Sequence, residues 1–353
     1  MIIASRQTRL GLARLGLAMI APPKPRGSLG VMAQSASRPD CLPLVSPTQI
    51  LWQAPDMTAT IGADARFCDL YTGPQGDDGL WLPIDCQGNP HQTIGKLVER
   101  NSTGPLRLGF GGWRDLLLGC QFINGNGELI TAGGRTVKNV AGYDLTKFMI
   151  GQAGIFGRIV SITMRAHPRP QDAILAEFPP DIEIFNNLIV SNSRPQWAVF
   201  TEKSLFCGYL GNMRLINYQA EQLPSWKPNR LERGGLAYDC QWRLENWRAN
   251  GAGELSMRAS LPPATITEFA SKSGLKDWVA DPAFGIVLAT VSDESAQSVT
   301  DAATAAGGRA WFWRKTDAYG LADFFPSPAE RTILERLKGS FDPENVLSPL
   351  PWS

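Results

Sequence analysis

Two histidines, His91 and His167, are the only imidazoles in the chain, and they lie far apart in sequence. A His-rich metal centre within one chain is excluded, and a Ser–His–Asp hydrolase would have to use one of these two. The six cysteines, Cys41, Cys68, Cys86, Cys120, Cys207 and Cys240, are widely and irregularly spaced. With no C-x-x-C pair they read as scattered buried thiols of a reducing compartment, and they argue against zinc ribbons, iron–sulfur clusters and dithiol redox chemistry. The remaining chemical signal is glycine, densest between Gly88 and Gly157. Such a cluster implies positive φ or close approach of the backbone, either to another strand or to an extended ligand. Neither G-x-G-x-x-G after a predicted strand nor G-x-x-x-x-G-K-[ST] occurs.

The chain that must position these residues has 353 residues, 34 Lys+Arg against 33 Asp+Glu, and 43% hydrophobic residues. Its length suggests roughly two domains. A net charge of +1 argues against a large face for nucleic acid or anionic membrane. No run of 18 apolar residues predicts a transmembrane helix. Before Asp40 there are six basic residues, Arg6, Arg9, Arg14, Lys24, Arg26 and Arg38, and no acid. Residues 1–38 read as a disordered or spurious extension, with a targeting segment as the alternative.

TATIGADARFCDLY (58–71) reads as a strand entering one or two amphipathic turns, and TIGKLVERN (93–101) as a short helix. DLLLGCQFINGNGELITAGG (115–134) predicts a β-hairpin, because Asn-Gly pairs tolerate the positive φ of a tight turn. IFGRIVSITMRAHPRP (155–170) predicts a strand closed by prolines. Beyond it, strands at ILAEF, WAVFT, LFCGYL, LSMRASLP, GIVLATV and RAWFWRK alternate with helices over 181–190, 264–273 and 294–306, the last stopped by Gly307. That order suggests a ferredoxin-like α+β domain. The stretch 221–250, with Trp226, Trp242 and Trp247, reads as a polar segment, and 329–340 as a last helix on which Lys338 reads as a surface residue.

Three segments carry a family resemblance: KNVAGYDL within 133–170, TIGKLVERNSTGPLRLGFGGWRDLLLG within 93–134, and FDPENVLSPLP within 337–351. Together they resemble the FAD-binding (E) subunit of bacterial glycolate oxidase, in the vanillyl-alcohol-oxidase, PCMH-type group of flavoproteins. The resemblance covers about residues 50–353. It implies an α+β fold with an FAD-binding domain over 39–172, a ferredoxin-like cap over 173–324, and a C-terminal segment, 325–353, returning to the first domain. It also implies that Thr93, Ile94 and Gly95 lie near the FAD pyrophosphate and ribityl chain, where backbone N–H groups at a helix start suit an anion. Pro83 and Asp85 match the preceding LP segment, and Asn101, Gly104, Arg107 and Gly112 the following loop. Gly154, Gly157 and Ile159 match the turn and strand on the adenine side. Lys138, Asn139, Tyr143 and Asp144 are its signature polar residues, either a hydrogen-bonded scaffold or groups that tune the flavin.

The chain departs from the family in three places. The N-terminal subdomain with its Gly-rich diphosphate loop looks truncated, leaving only Gly27 and Gly30. Lys96 replaces the second glycine of TIGG, where it either supplies a cation to the phosphates or obstructs them. Ser348 and Leu350 replace Asn and Gly of the C-terminal NPG. A base and a cationic clamp for a 2-hydroxy acid do not stand out. His91, just before the TIG segment, is better placed near flavin than His167, which reads as structural or solvent-facing. The functional expectation is an FAD-dependent oxidoreductase subunit acting on CH–OH groups, within a complex that oxidises glycolate to glyoxylate. Its partners would be a second flavoprotein chain and an iron–sulfur chain. It would be cytoplasmic, or peripheral at the inner face of the membrane through those partners. The alternatives are a non-catalytic subunit with a degenerate FAD site and a free-standing D-lactate-type dehydrogenase.

Overall fold

Short apolar runs, several of them buried on both faces, build two antiparallel sheets in the computed structural model, which describes residues 45–72, 79–134, 144–249, 253–314 and 328–350. All of these belong to one unit, Arg38–Ser353. The first part of the chain contributes β1 (Ile50–Gln53), β2 (Thr58–Gly62), β3 (Leu80–Trp81), β4 (Leu117–Ile123), β5 (Leu129–Gly133), β6 (Arg158–Arg165) and β7 (His167–Pro168). The five-stranded sheet runs β1-β2-β6-β4-β5, with β3 and β7 paired separately. Ala59, Ile61, Cys120, Phe122, Ile162 and Met164 share its apolar core face. The opposite face is buried but polar. Thr60 and Thr163 hydrogen-bond across it at 2.9 Å, and Ser161 donates to Gln121 at 2.8 Å, because a buried hydroxyl left unpaired costs about 1–3 kcal/mol. The expected turns at 63–71 shrink to a single turn, Asp69–Thr72, because Ala63 and Ala65 give their carbonyls to the start of the Ile94–Glu99 helix.

The Asn-Gly hairpin forms as expected. Asn124 Oδ1 accepts from the N–H groups of Asn126 and Glu128, at 3.0 and 2.9 Å. Its Gly125 answers a different need from the turn itself: a side chain there would strike Asp342, and its N–H donates to Phe341 O at 2.7 Å. Phe341, at the end of the Pro328–Phe341 helix, packs its ring against Phe122, Phe148 and Phe156.

The second part continues with β8 (Asp172–Phe178), β9 (Trp197–Thr201), β10 (Leu205–Gly211), β11 (Arg230–Arg233), β12 (Leu255–Ser260), β13 (Val279–Asp281), β14 (Ile286–Val291) and β15 (Arg309–Arg314). They form an eight-stranded sheet in the order β11-β8-β10-β9-β13-β14-β12-β15. Two copies of one βαββαβ plan lie side by side. In each, the strands are arranged 4-1-3-2, the ferredoxin-like order, and the copies meet through their second strands, β9 and β13. Helices Ile182–Ile189, Met213–Gln222, Ile266–Lys272 and Ala296–Ala305 supply the crossovers, and Phe185, Ile216, Phe269 and Val299 bury against one sheet face. Met213–Gln222, between β10 and β11, is a helix absent from the sequence reading.

The stretch 221–250 is corrected outright. It holds β11 and a twelve-residue helix, Gly235–Asn246, whose tryptophans cover the other sheet face. Trp242 stacks on Trp197 with ring centroids 5.0 Å apart, and Trp247 is buried. Trp81 and Leu106, from the first part of the chain, join the same apolar cluster.

Candidate functional site

Thr93 caps the Ile94–Glu99 helix, its hydroxyl accepting from Lys96 N–H at 3.4 Å. The N–H of Ile94 donates to Ala65 O at 2.8 Å and that of Gly95 to Ala63 O at 2.9 Å. The donors that the resemblance assigns to a pyrophosphate are therefore already engaged within the chain. Ile94 itself is fully buried in the core. Gly95 is small because Ala63 packs against it: a Cβ there would lie 2.9 Å from that of Ala63.

What this end of the helix does build is a cleft of about 280 Å³ whose walls include Thr93, Gly95, Lys96, Gly154, Arg158 and Ile159. Gly154 takes φ +81°, and its carbonyl accepts from Ser348 N–H at 3.3 Å, which carries the C-terminal segment onto the cleft rim. Lys96 Nζ sits 2.9 Å from the buried carboxylate of Glu99, which also lines the cleft. Lys96 therefore neither floats free nor fills the cleft; it neutralises Glu99. Arg158, exposed at the start of β6, has no ion-pair partner among the described residues.

Pro83, Asp85, Gly104, Arg107 and Gly112 gather around a second cleft with about 10 Å³ of space, room for roughly one water molecule. Two of them have structural partners instead of an open ligand space. Asp85 pairs with Arg243 through Oδ1 and accepts Leu106 N–H at 2.8 Å through Oδ2. Arg243 in turn holds Asp239 at 3.0 Å, and Asp239 accepts the Trp197 indole N–H at 2.7 Å. All of these groups are buried. Burial pushes the Asp239 carboxyl up to about 7, against the lowering effect of the Trp197 N–H. Arg107 lays its guanidinium 4.0 Å over the Phe284 ring, bridging to the eight-stranded sheet. Gly104 is small because Asp85 stands against it.

Asn101 and Gly157 line neither cleft. Asn101 is exposed and takes φ +48° just after the helix. Gly157 faces inward, where a Cβ would stand 2.5 Å from the Phe122 ring. Packing against Phe122 is therefore a sufficient reason for glycine at this position. G157V should lower stability by about 1–3 kcal/mol through overpacking, read as a lower denaturant midpoint in apoprotein that contains no ligand.

His91 is exposed, with Nδ1 3.8 Å from Cys68 Sγ. His167 is partly buried, edge-on to Phe110; burial and the nearby Arg165 hold its pKa below the usual histidine range. Asp144 caps the Leu145–Phe148 helix and pairs with Lys147 at 3.4 Å, a scaffold role. Lys138, Asn139 and Tyr143 lie outside the described residues, as do residues 1–44. Lys338 was expected at the surface but is buried: Nζ donates to Ile155 O at 3.1 Å and Ser348 O at 2.9 Å and pairs with Asp342. Leu350, in place of a family glycine, fills an apolar cluster with Ile155 and Phe156.

The fold is shared with alkyldihydroxyacetonephosphate synthase, whose structure superimposes on 84% of this chain and 65% of its own, with a TM-score of 0.58 at 14% identity. That likeness shows a shared α+β fold. In sequence, the chain is 32% identical over 116 residues to the glycolate oxidase subunit GlcD of Bacillus subtilis, covering 33% of this chain and 24% of that protein. It is 40% identical over 100 residues to the glycolate oxidase subunit GlcE of Escherichia coli, covering 27% and 28%. A mitochondrial cytochrome D-lactate dehydrogenase of Arabidopsis thaliana is 34% identical over 98 residues, covering 28% and 17%. The matches to the two glycolate oxidase subunits thus span about a quarter of each relative's length. No protein-family model matches the chain. Relatives with these names are oxidoreductases of 2-hydroxy acids, which agrees with the resemblance read from the motifs.

Proposed function

We propose that this chain is the FAD-binding subunit of an oxidoreductase complex that oxidises a 2-hydroxy acid, with glycolate as substrate and glyoxylate as product. The reading assigns 39–172 and 325–353 to FAD, 173–324 to the cap, and the partner roles to a second flavoprotein chain and an iron–sulfur chain. The observation that carries it is the cleft at Gly154 and Ile159, which joins exposed cations to a positive-φ glycine on a PCMH-type fold. Its volume lies just under the roughly 300–1,000 Å³ of small-molecule pockets, so it suits the nucleotide half of FAD. Ile159 offers an apolar wall to the adenine, and Thr93 and Ser348 offer hydroxyls. Arg158 faces the diphosphate with side-chain charge in place of backbone donors, and Lys96 keeps the Glu99 carboxylate from opposing it. When bound, FAD supplies the two-electron acceptor for oxidation of the substrate's C–H bond. A flavin band near unit stoichiometry in the visible spectrum of the purified chain supports this reading.

The engaged N–H groups of Ile94 and Gly95 favour a second reading, a non-catalytic subunit of the same complex, and a folded, colourless chain would support that. Anion binding through exposed side chains is sensitive to salt. K96G should therefore weaken FAD binding by about two- to fivefold, matching roughly 0.3–1 kcal/mol for one exposed cation. It should also flatten the salt dependence, because Glu99 is left uncompensated in the cleft. Titrating FAD into the native chain, K96G and R158Q at two salt concentrations checks this. Tighter binding by K96G would show that the lysine obstructs the site.

A further inference from the structure

We propose that the cavity at the Thr58–Arg165 end of the five-stranded sheet binds a small monocarboxylate anion, with Arg165 as its cation. The cavity measures about 380 Å³, larger than the cleft at Gly154. Its walls include Met57, Leu118, Arg165, Ala166 and His167, with Asp56 at the exposed rim.

Arg165 is the unusual member. It is partly buried, yet its guanidinium has no ion pair or hydrogen bond among the described residues. Its five N–H donors keep access to water and are unengaged within the described residues, so they are available to a ligand. Its base is fixed, since Arg165 pairs with Thr58 in the β2–β6 ladder and Ala166 N–H donates to Met57 O at 2.7 Å. A planar fork of donors matches a planar carboxylate bidentately. One guanidinium compensates one negative charge, and burial together with Arg165 disfavours a proton on the neighbouring His167. Met57, Leu118 and Ala166 give a short carbon skeleton an apolar surface. The Asp56 carboxylate is at the rim, where water screens it.

Arg165 and Arg158 stand at opposite ends of β6, seven residues or about 23 Å apart along the strand. The anion site is thus separate from the nucleotide cleft, and it stands whether or not the chain binds FAD.

Calorimetric titration of the full chain with acetate, glycolate and the neutral isostere acetamide tests the site. Acetate and glycolate should bind, and acetamide should bind at least about tenfold more weakly. R165Q should lose about tenfold or more, while R194Q, at an exposed arginine that lines neither this cavity nor the cleft at Gly154, leaves both anions unchanged. Tighter glycolate than acetate assigns the site to hydroxy acids, and equal affinity assigns it to simple carboxylates. Equal binding of acetamide and acetate, unchanged affinity in R165Q, or no binding of either anion overturns the proposal. If R165Q fails to fold, peptide-level phenylglyoxal labelling of the native chain decides instead. Acetate should protect Arg165 from modification, and equal labelling with and without acetate overturns the site.

Discussion

R243M should unfold at a far lower denaturant concentration than the native chain, with a loss of about 3–5 kcal/mol. The reason is charge arithmetic in a dry place. Arg243 is the guanidinium that pairs with both Asp85 and Asp239, and removing it leaves two buried carboxylates facing each other without a counter-charge. D239N is the control. One guanidinium cannot balance two carboxylates, so neutralising Asp239 should cost much less than removing Arg243. The pH dependence carries a defined sign. An unfolded aspartate titrates near 3.9, while in the folded chain burial raises Asp239 to about 7. The folded state therefore binds the extra proton, so this stabilisation is complete below about pH 4 and is lost as the pH rises toward 7. D239N should flatten that slope. Denaturant melts of the three proteins at several pH values check both statements, and a native-like midpoint for R243M would show that water enters the cluster.

K338M should also lose about 3–5 kcal/mol, although a lysine on an amphipathic C-terminal helix reads as a harmless surface position. Its ammonium ties Asp342, Ile155 O and Ser348 O together in a buried knot. Burial by itself would raise the Asp342 carboxyl. The bonds from Lys338 and from the N–H groups of Leu347 and Val346 outweigh it and hold the group below the usual carboxylate range. A depressed carboxyl stabilises above its unfolded pKa and loses that contribution as the pH falls through the folded value, opposite in sign to Asp239. K338M should release the C-terminal segment to protease before the sheets unfold, which limited proteolysis with mass mapping will show.

These two clusters mark where the sequence stopped being readable. Most of the long strands announced themselves through β-rich apolar runs and the hairpin through Asn-Gly, whereas the short β11 and β13 did not. The Gly235–Asn246 helix did not, because Trp242 and Trp247 bury against one neighbour while Arg243 and Asp239 bury among others. A helix enclosed on several sides has no single apolar stripe, and its charges look like solvent-facing ones. Asp85 matched a ligand-binding motif, but its partner lies 158 positions later, a pairing that no local pattern encodes. Likewise Gly95, Gly104 and Gly157 read as a surface cleared for a ligand. Their neighbours Ala63, Asp85 and Phe122 show that the protein's own atoms occupy that space. Of the cleft at Gly154, that glycine, Thr93, Gly95, Lys96 and Ile159 were singled out by motif resemblance; Arg158 was not, since one cation in a strand carries no signal by itself.

The doubled 4-1-3-2 sheet bears on how the chain comes to be folded. Each copy is one continuous stretch, Asp172–Arg233 and Leu255–Arg314, so all of its internal strand pairings close within that stretch, and each contains one tight hairpin, β9–β10 and β13–β14. Short loops lose little chain entropy and form quickly. The seam between the copies is only two residue pairs, Thr201 with Val279 and Phe200 with Ala280. Each half can thus nucleate by itself during synthesis, the earlier one while the later is still emerging, and the eight-stranded sheet is completed by a late zippering of two finished pieces.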